Sequence, residues 1–119
     1  MIKSKVLVVD DEESIRRLIK EVLTREGRQV LLSSGGSDAV EMFRQERPDI
    51  TILDIGMPDL NGIEVLRRIR AMDQSATVMV FTGSCTAALV KQAQELGVTE
   101  FLEKGPSLST IWEARTRRM

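Results

Sequence analysis

Ile50-Thr51-Ile52-Leu53-Asp54 runs into Ile55-Gly56-Met57-Pro58-Asp59-Leu60-Asn61-Gly62. The first four residues are β-branched or aliphatic without a polar interruption, the pattern of a parallel strand buried on both faces. A carboxylate follows at once. Pro58 cannot extend a strand, and Asn61-Gly62 is a turn signal. Asp54 therefore belongs at the carboxyl end of a central strand, where open α/β sheets bind ligands. An Asp in that place can also do no more than cap a turn, so the flanking sequence has to decide.

Upstream, Val6-Leu7-Val8-Val9 is a second short apolar run, and it ends in Asp10-Asp11-Glu12-Glu13. Ile15, Leu18, Ile19, Val22 and Leu23 then recur at helical spacing, with Gly27 as a left-handed stop. Acids before a helix suit its dipole. Glu12 and Glu13 are assigned to that role, while Asp10 and Asp11 lie at the strand end. Gln29–Ser33 reads as another strand. Ser34-Gly35-Gly36 is a loop without a Walker or GxGxxG pattern, so it does not predict a nucleotide site. A helix beginning at Ser37 or Asp38 carries Val40 and Phe43 inward, and Pro48 ends it.

Downstream, Ile63, Leu66 and Ile69 mark a third helix, with Arg67, Arg68 and Arg70 assigned to its wet side near Glu64 and Asp73. Thr77–Phe81 is a strand that ends in Thr82-Gly83-Ser84. Leu89, Val90, Ala93 and Leu96 define a fourth helix closed by Gly97. Val98–Glu103 is a more polar strand, placed at an edge and broken by Lys104-Gly105-Pro106. Leu108, Ile111 and Trp112 open a last helix. The alternation is β-α five times over, which predicts a doubly wound (βα)5 α/β fold with a five-stranded parallel sheet.

In such a sheet all strand ends share one edge. Asp10, Asp11, Asp54, Thr82 and Lys104 gather there although far apart in sequence. Carboxylates about 5 Å apart repel by about 3 kcal/mol per pair at an effective dielectric near 20. Such a group is relieved by binding a cation or by raising a pKa. The 119-residue chain has no His, which removes histidine bases, histidine metal ligands and Ser-His-Asp triads. An all-oxygen site favours a hard ion such as Mg²⁺. Mg²⁺ and Lys104 would neutralise phosphoryl oxygens, Thr82 could hydrogen-bond one, and Asp54 could attack phosphorus.

Composition bounds the rest. Hydrophobic residues make up 42%, enough for one packed core, and residues 1–119 are read as one domain with no output domain following. With 29% charged residues and a net charge of −1, no global field draws the chain to nucleic acid or to an anionic membrane. A single cysteine, Cys85, suits a reducing, cytoplasmic setting. Its apolar N-terminal run is too short for a signal peptide or a membrane span.

Val8-Val9-Asp10-Asp11-Glu12, Leu53-Asp54-Ile55-Gly56-Met57-Pro58 through Gly62, Thr82-Gly83 and Phe101-Leu102-Glu103-Lys104 together resemble the receiver domain of two-component response regulators. The resemblance spans the whole chain, with several separate motifs in order. It implies a flavodoxin-like fold with strand order 2-1-3-4-5. It implies that Asp54 accepts phosphate from a sensor histidine kinase or phosphotransfer protein. Asp11 would bind Mg²⁺ directly, Asp10 largely through water, and the Gly56 carbonyl and Asp54 would complete the protein ligands. Thr82 and Lys104 would contact the phosphoryl group, and Phe101 would turn as a switch when Thr82 moves. The activity implied is self-phosphorylation and self-dephosphorylation rather than turnover of a substrate. A downstream effector or a missing output domain would receive the signal, and the family admits a homodimer through the fourth helix, fifth strand and fifth helix.

The sequence departs from the family pattern at Gly105, which separates Lys104 from Pro106. It also has small residues two past the acceptor and two past Thr82, namely Gly56 and Ser84. Two other functions compete with this one. A dehalogenase-like phosphatase needs a second Asp at position 56, which is Gly. A pseudo-receiver would bind partners without phosphorylation, and the retained Asp11, Asp54, Thr82 and Lys104 argue against it.

Overall fold

A computed structural model describes residues 4–56, 62–83 and 86–103. The elements follow in the order β1 (Lys5–Val9), α1 (Glu13–Arg25), β2 (Gln29–Ser33), α2 (Gly36–Glu46), β3 (Ile50–Leu53), α3 (Gly62–Met72), β4 (Thr77–Thr82), α4 (Ala87–Glu95) and β5 (Glu100–Glu103). All strand pairs are parallel, and the sheet order is β2-β1-β3-β4-β5. The expected doubly wound sheet, its strand order and the edge position of β5 are thus as read from the sequence. The expected last helix and Lys104 lie outside the described residues.

Period-two alternation divides the apolar strand residues between two layers. Leu7, Val9, Leu53, Val78 and Val80 pack with Ala39 and Phe43 of α2, Ile63, Leu66 and Ile69 of α3, and Ala93 of α4. Val6, Val8, Ile50, Ile52, Met79, Phe81 and Leu102 face the other way, onto Ile19 and Leu23 of α1. β3 is buried along its whole length, which explains why its sequence does not alternate in polarity. Each fully buried Leu, Ile or Phe contributes about 1.5–3 kcal/mol relative to exposure. The strand order reverses between β1 and β3, so the crevice beyond their carboxyl ends is the topological switch point.

Gly27 and Gly97 end α1 and α4 with φ of +81° each, as the left-handed stop requires. Two readings need correction. Gly62 is not a turn residue but the first residue of α3, and a Cβ there would overlap the Asp54 carbonyl oxygen and the Ile55 Cα. Its value is the close approach of α3 to the chain just after β3. Arg70, assigned to the solvated side of α3, is half-buried. Its guanidinium donates to the carbonyls of Ala76 at 2.6 Å, Leu96 at 2.8 Å and Gly97 at 2.5 Å. It thereby ties the α3–β4 turn to the C-terminal end of α4. Arg67 and Arg68 do face solvent, where their hydrogen bonds to Glu64 hold that carboxyl below the usual range.

Candidate functional site

The site is built from the ends of β1 and β3. Val9 and Leu53 are register partners, and the next peptide bonds continue the ladder. The Asp54 amide donates to the Val9 carbonyl at 2.9 Å, and the Asp10 amide donates to the Ser33 carbonyl of β2 at 3.1 Å. The Val9–Asp10 peptide therefore spans from β2 to β3 and places Asp10 beside Asp54. Both side chains are buried, at 2% and 5% exposure, whereas Asp11 and Glu12 are exposed.

Carboxylate oxygens of Asp10, Asp11, Glu12 and Asp54 all lie within 4.8 Å of one another. That spacing matches the expected repulsive cluster and adds one member to it. Glu12, assigned by its sequence position to the helix start alone, is the N-cap residue of α1 but makes no side-chain capping bond. Its carboxylate instead joins the cluster. The unbroken run of acids is the available signal; the extended backbone of Glu12 (φ −87°, ψ 115°) keeps it outside the helix proper, and its carboxylate lies with those of the aspartates.

Local hydrogen bonds fix the two buried carboxylates. Asp10 Oδ1 accepts from the Glu12 amide at 2.9 Å, an Asx turn that reverses the chain into α1. Asp54 Oδ1 accepts from the Gly56 amide at 2.8 Å, which sets the plane of its carboxylate. Gly56 is exposed beside it. A cation is close at hand: Arg16 Nη1 donates to the Asp10 carbonyl at 2.7 Å.

Thr82 is the last residue of β4, adjacent to β3, and is buried at 2% exposure. Phe101 pairs with Val80 across β4 and β5, half-buried against the α3–α4 layer. In this register Thr82 and Phe101 share one face of the sheet on neighbouring strands. The structure thus brings together Asp10, Asp11, Asp54 and Gly56, and sets Thr82 at the same sheet edge. Lys104, the residue after Glu103 of β5, lies outside the described residues.

The donor set consists of carboxylate oxygens, with partial burial and room for water on the Asp11 and Glu12 side. That chemistry fits Mg²⁺, which keeps part of its hydration shell and uses few protein carboxylates. The same donors suit no soft metal. No helix among the described residues is long and apolar enough to cross a membrane.

Comparison with known proteins agrees with this geometry. The family model for the response regulator receiver domain matches residues 6–115. The chain is 32% identical over 114 residues to sporulation initiation phosphotransferase F of Bacillus subtilis, covering 96% of this chain and 92% of that one. It is 33% identical over 111 residues to chemotaxis protein CheY of Thermotoga maritima, covering 92% of each. The structure superposes on a phosphorylated cyanobacterial phytochrome response regulator, RcpA, with a TM-score of 0.88 and 25% identity, covering 98% of this chain and 93% of that one.

Proposed function

The chain belongs to the response regulator receiver family of two-component and phosphorelay systems, and from that premise we propose that Asp54 accepts a phosphoryl group in a Mg²⁺-dependent reaction. Receiver domains are signalling phosphoacceptors that bind Mg²⁺ at an acidic pocket. The observation that carries the residue assignment is the convergence of Asp10, Asp11, Glu12 and Asp54 within 4.8 Å beyond β1 and β3.

The donor is a phosphohistidine of a sensor histidine kinase or a phosphotransfer protein. An Asp54 carboxylate oxygen attacks phosphorus, the bond from phosphorus to the donor nitrogen breaks, and the leaving imidazole regains a proton. The product is an aspartyl phosphate. Mg²⁺, when bound, neutralises phosphoryl oxygens. Asp11 would be its direct ligand, Asp10 would act largely through water, and Asp54 with the Gly56 carbonyl would complete the protein's share. The Gly56 amide holds the Asp54 carboxylate in one plane, so attack needs little reorientation. Lys104 and the Thr82 hydroxyl would bind phosphoryl oxygens.

The output follows from the shared face of Thr82 and Phe101. Phosphorylation adds about −1.5 to −2 charge. Thr82 moves toward it, and Phe101 turns into the space released, reshaping the surface of α4 and β5. Phe101 has no hydroxyl, so packing alone transmits the change. A downstream effector, an output domain or a second copy reads that surface. Residues 1–119 act as one receiver module in this account.

Incubating the protein with a small phosphodonor such as acetyl phosphate tests the reading. Intact mass should rise by one phosphoryl group with Mg²⁺ and stay unchanged with a chelator. A phosphorylation-independent interaction module would show no mass change in either condition.

A further inference from the structure

Four acids stand in a row beside a core strand, and a cation from the following helix braces the backbone that carries them. Arg16 sits half-buried in the first turn of α1. Its Nη1 reaches back to the Asp10 carbonyl at 2.7 Å, while its amide donates to the Glu12 carbonyl at 3.1 Å. Asp10 is then held through its amide on Ser33, its carbonyl by Arg16 and its Oδ1 by the Glu12 amide. Of these bonds, the one from Arg16 is charge-assisted on the donor side and therefore the strongest for its length.

The bond acts on more than Asp10. The Asp10 carbonyl and the Asp11 amide share one peptide plane. Fixing the carbonyl fixes that plane and the place of the Asp11 Cα; with the Glu12 amide held on Asp10 Oδ1, both ends of Asp11 are restrained and so is the direction in which its side chain leaves the backbone. Asp11 and Glu12 are exposed, so packing does not hold them.

We infer that Arg16 is a positioning residue for the metal site: through the Asp10 carbonyl it orders the 10–12 turn so that Asp11 and Glu12 meet Asp54 around a hard divalent cation. This rests on the receiver reading above. The direction of the effect separates positioning from simple electrostatics. A cation beside the site repels Mg²⁺, so removing Arg16 would tighten binding if charge were its only influence. If positioning dominates, its removal weakens binding.

The test uses the full chain, Mg²⁺ alone and the variants Arg16→Met and Arg16→Lys. Calorimetric titration gives the Mg²⁺ dissociation constant, and hydrogen exchange without metal gives the protection of the Glu12 amide. Arg16→Met should raise the dissociation constant about ten-fold, the size of effect seen for groups that orient metal ligands. It should also speed exchange at Glu12 while leaving Val8 in β1 unchanged. Arg16→Lys keeps the charge and one donor and should recover most of the affinity. It also carries the test if the Met variant fails to fold, by exchanging faster at Glu12 than the wild type does. Unchanged or tighter Mg²⁺ binding in the Met variant, or unchanged Glu12 exchange, overturns the inference. Failure of the wild type to bind Mg²⁺ contradicts the receiver reading instead. The exchange arm needs no metal and decides the ordering of the turn either way.

Discussion

The amide of Asp54 donates to the carbonyl of Val9 at 2.9 Å, one step beyond the last strand residues of β3 and β1. This bond extends the ladder just far enough to hold two carboxylates side by side. A loop could not do the same without its own supports. Asp54 is thus positioned by the most buried part of the protein, with the exposed Asp11 and Glu12 beside it.

The two aspartates after β1 should respond oppositely to truncation. Asp10 is buried and accepts the Glu12 amide, so Asp10→Ala loses an Asx turn and should cost about 1 kcal/mol of stability without metal. Asp11 is exposed within the acid cluster, and Asp11→Ala relieves repulsion. Without metal it should leave stability unchanged or raised. Urea unfolding with a chelator measures both, and the opposite ranking would contradict these roles.

Mg²⁺ should stabilise the wild type by about 2.7 kcal/mol at a concentration 100 times its dissociation constant. Asp11→Ala should lose most of that gain, and Asp10→Ala less of it. A melting temperature that Mg²⁺ does not move in the wild type would remove the ion from the site.

Gly62 should tolerate no side chain. A Cβ at this position overlaps the backbone of Asp54 and Ile55, which cannot yield as a flexible side chain would. Gly62→Ala should destabilise by about 1–3 kcal/mol, the usual cost of overpacking. Because the displaced backbone carries Asp54, phosphorylation should slow even in the folded fraction. Denaturant midpoints and phosphodonor kinetics on the same sample separate the two effects.

Thr51 offers a stabilising change away from the site. It is fully buried in β3, and its hydroxyl has no hydrogen-bond partner among the described residues. Thr51→Val keeps the branched shape and removes the unsatisfied oxygen, which should raise stability by about 1 kcal/mol. A lower unfolding midpoint would show that the hydroxyl is satisfied in solution.

The contrast between Thr51 and Arg70 shows what the sequence could and could not reveal. Runs such as Val6–Val9 and Ile50–Leu53 announce buried strands because burial on both faces leaves a local pattern. The strand ends follow, so the sequence alone gathers Asp10, Asp11, Asp54 and Thr82 on one edge. Gly62, Glu12, Arg16 and Arg70 act through partners chosen by tertiary packing. Gly62 resembles a turn glycine, and Glu12 resembles a helix-start acid. Arg70 resembles its solvated neighbours Arg67 and Arg68 until α4 docks its carbonyls against it. No periodicity encodes those choices.

The central claim is that Asp54 is the phosphoryl acceptor. The direct measurement is phosphate incorporation into the wild type and Asp54→Asn from the same phosphodonor with saturating Mg²⁺, followed by acid treatment. The amide is nearly isosteric with the carboxylate but a poor nucleophile. The wild type should take up one acid-labile phosphoryl group while the folded Asp54→Asn variant takes up none. Equal labelling of the two proteins would contradict the account.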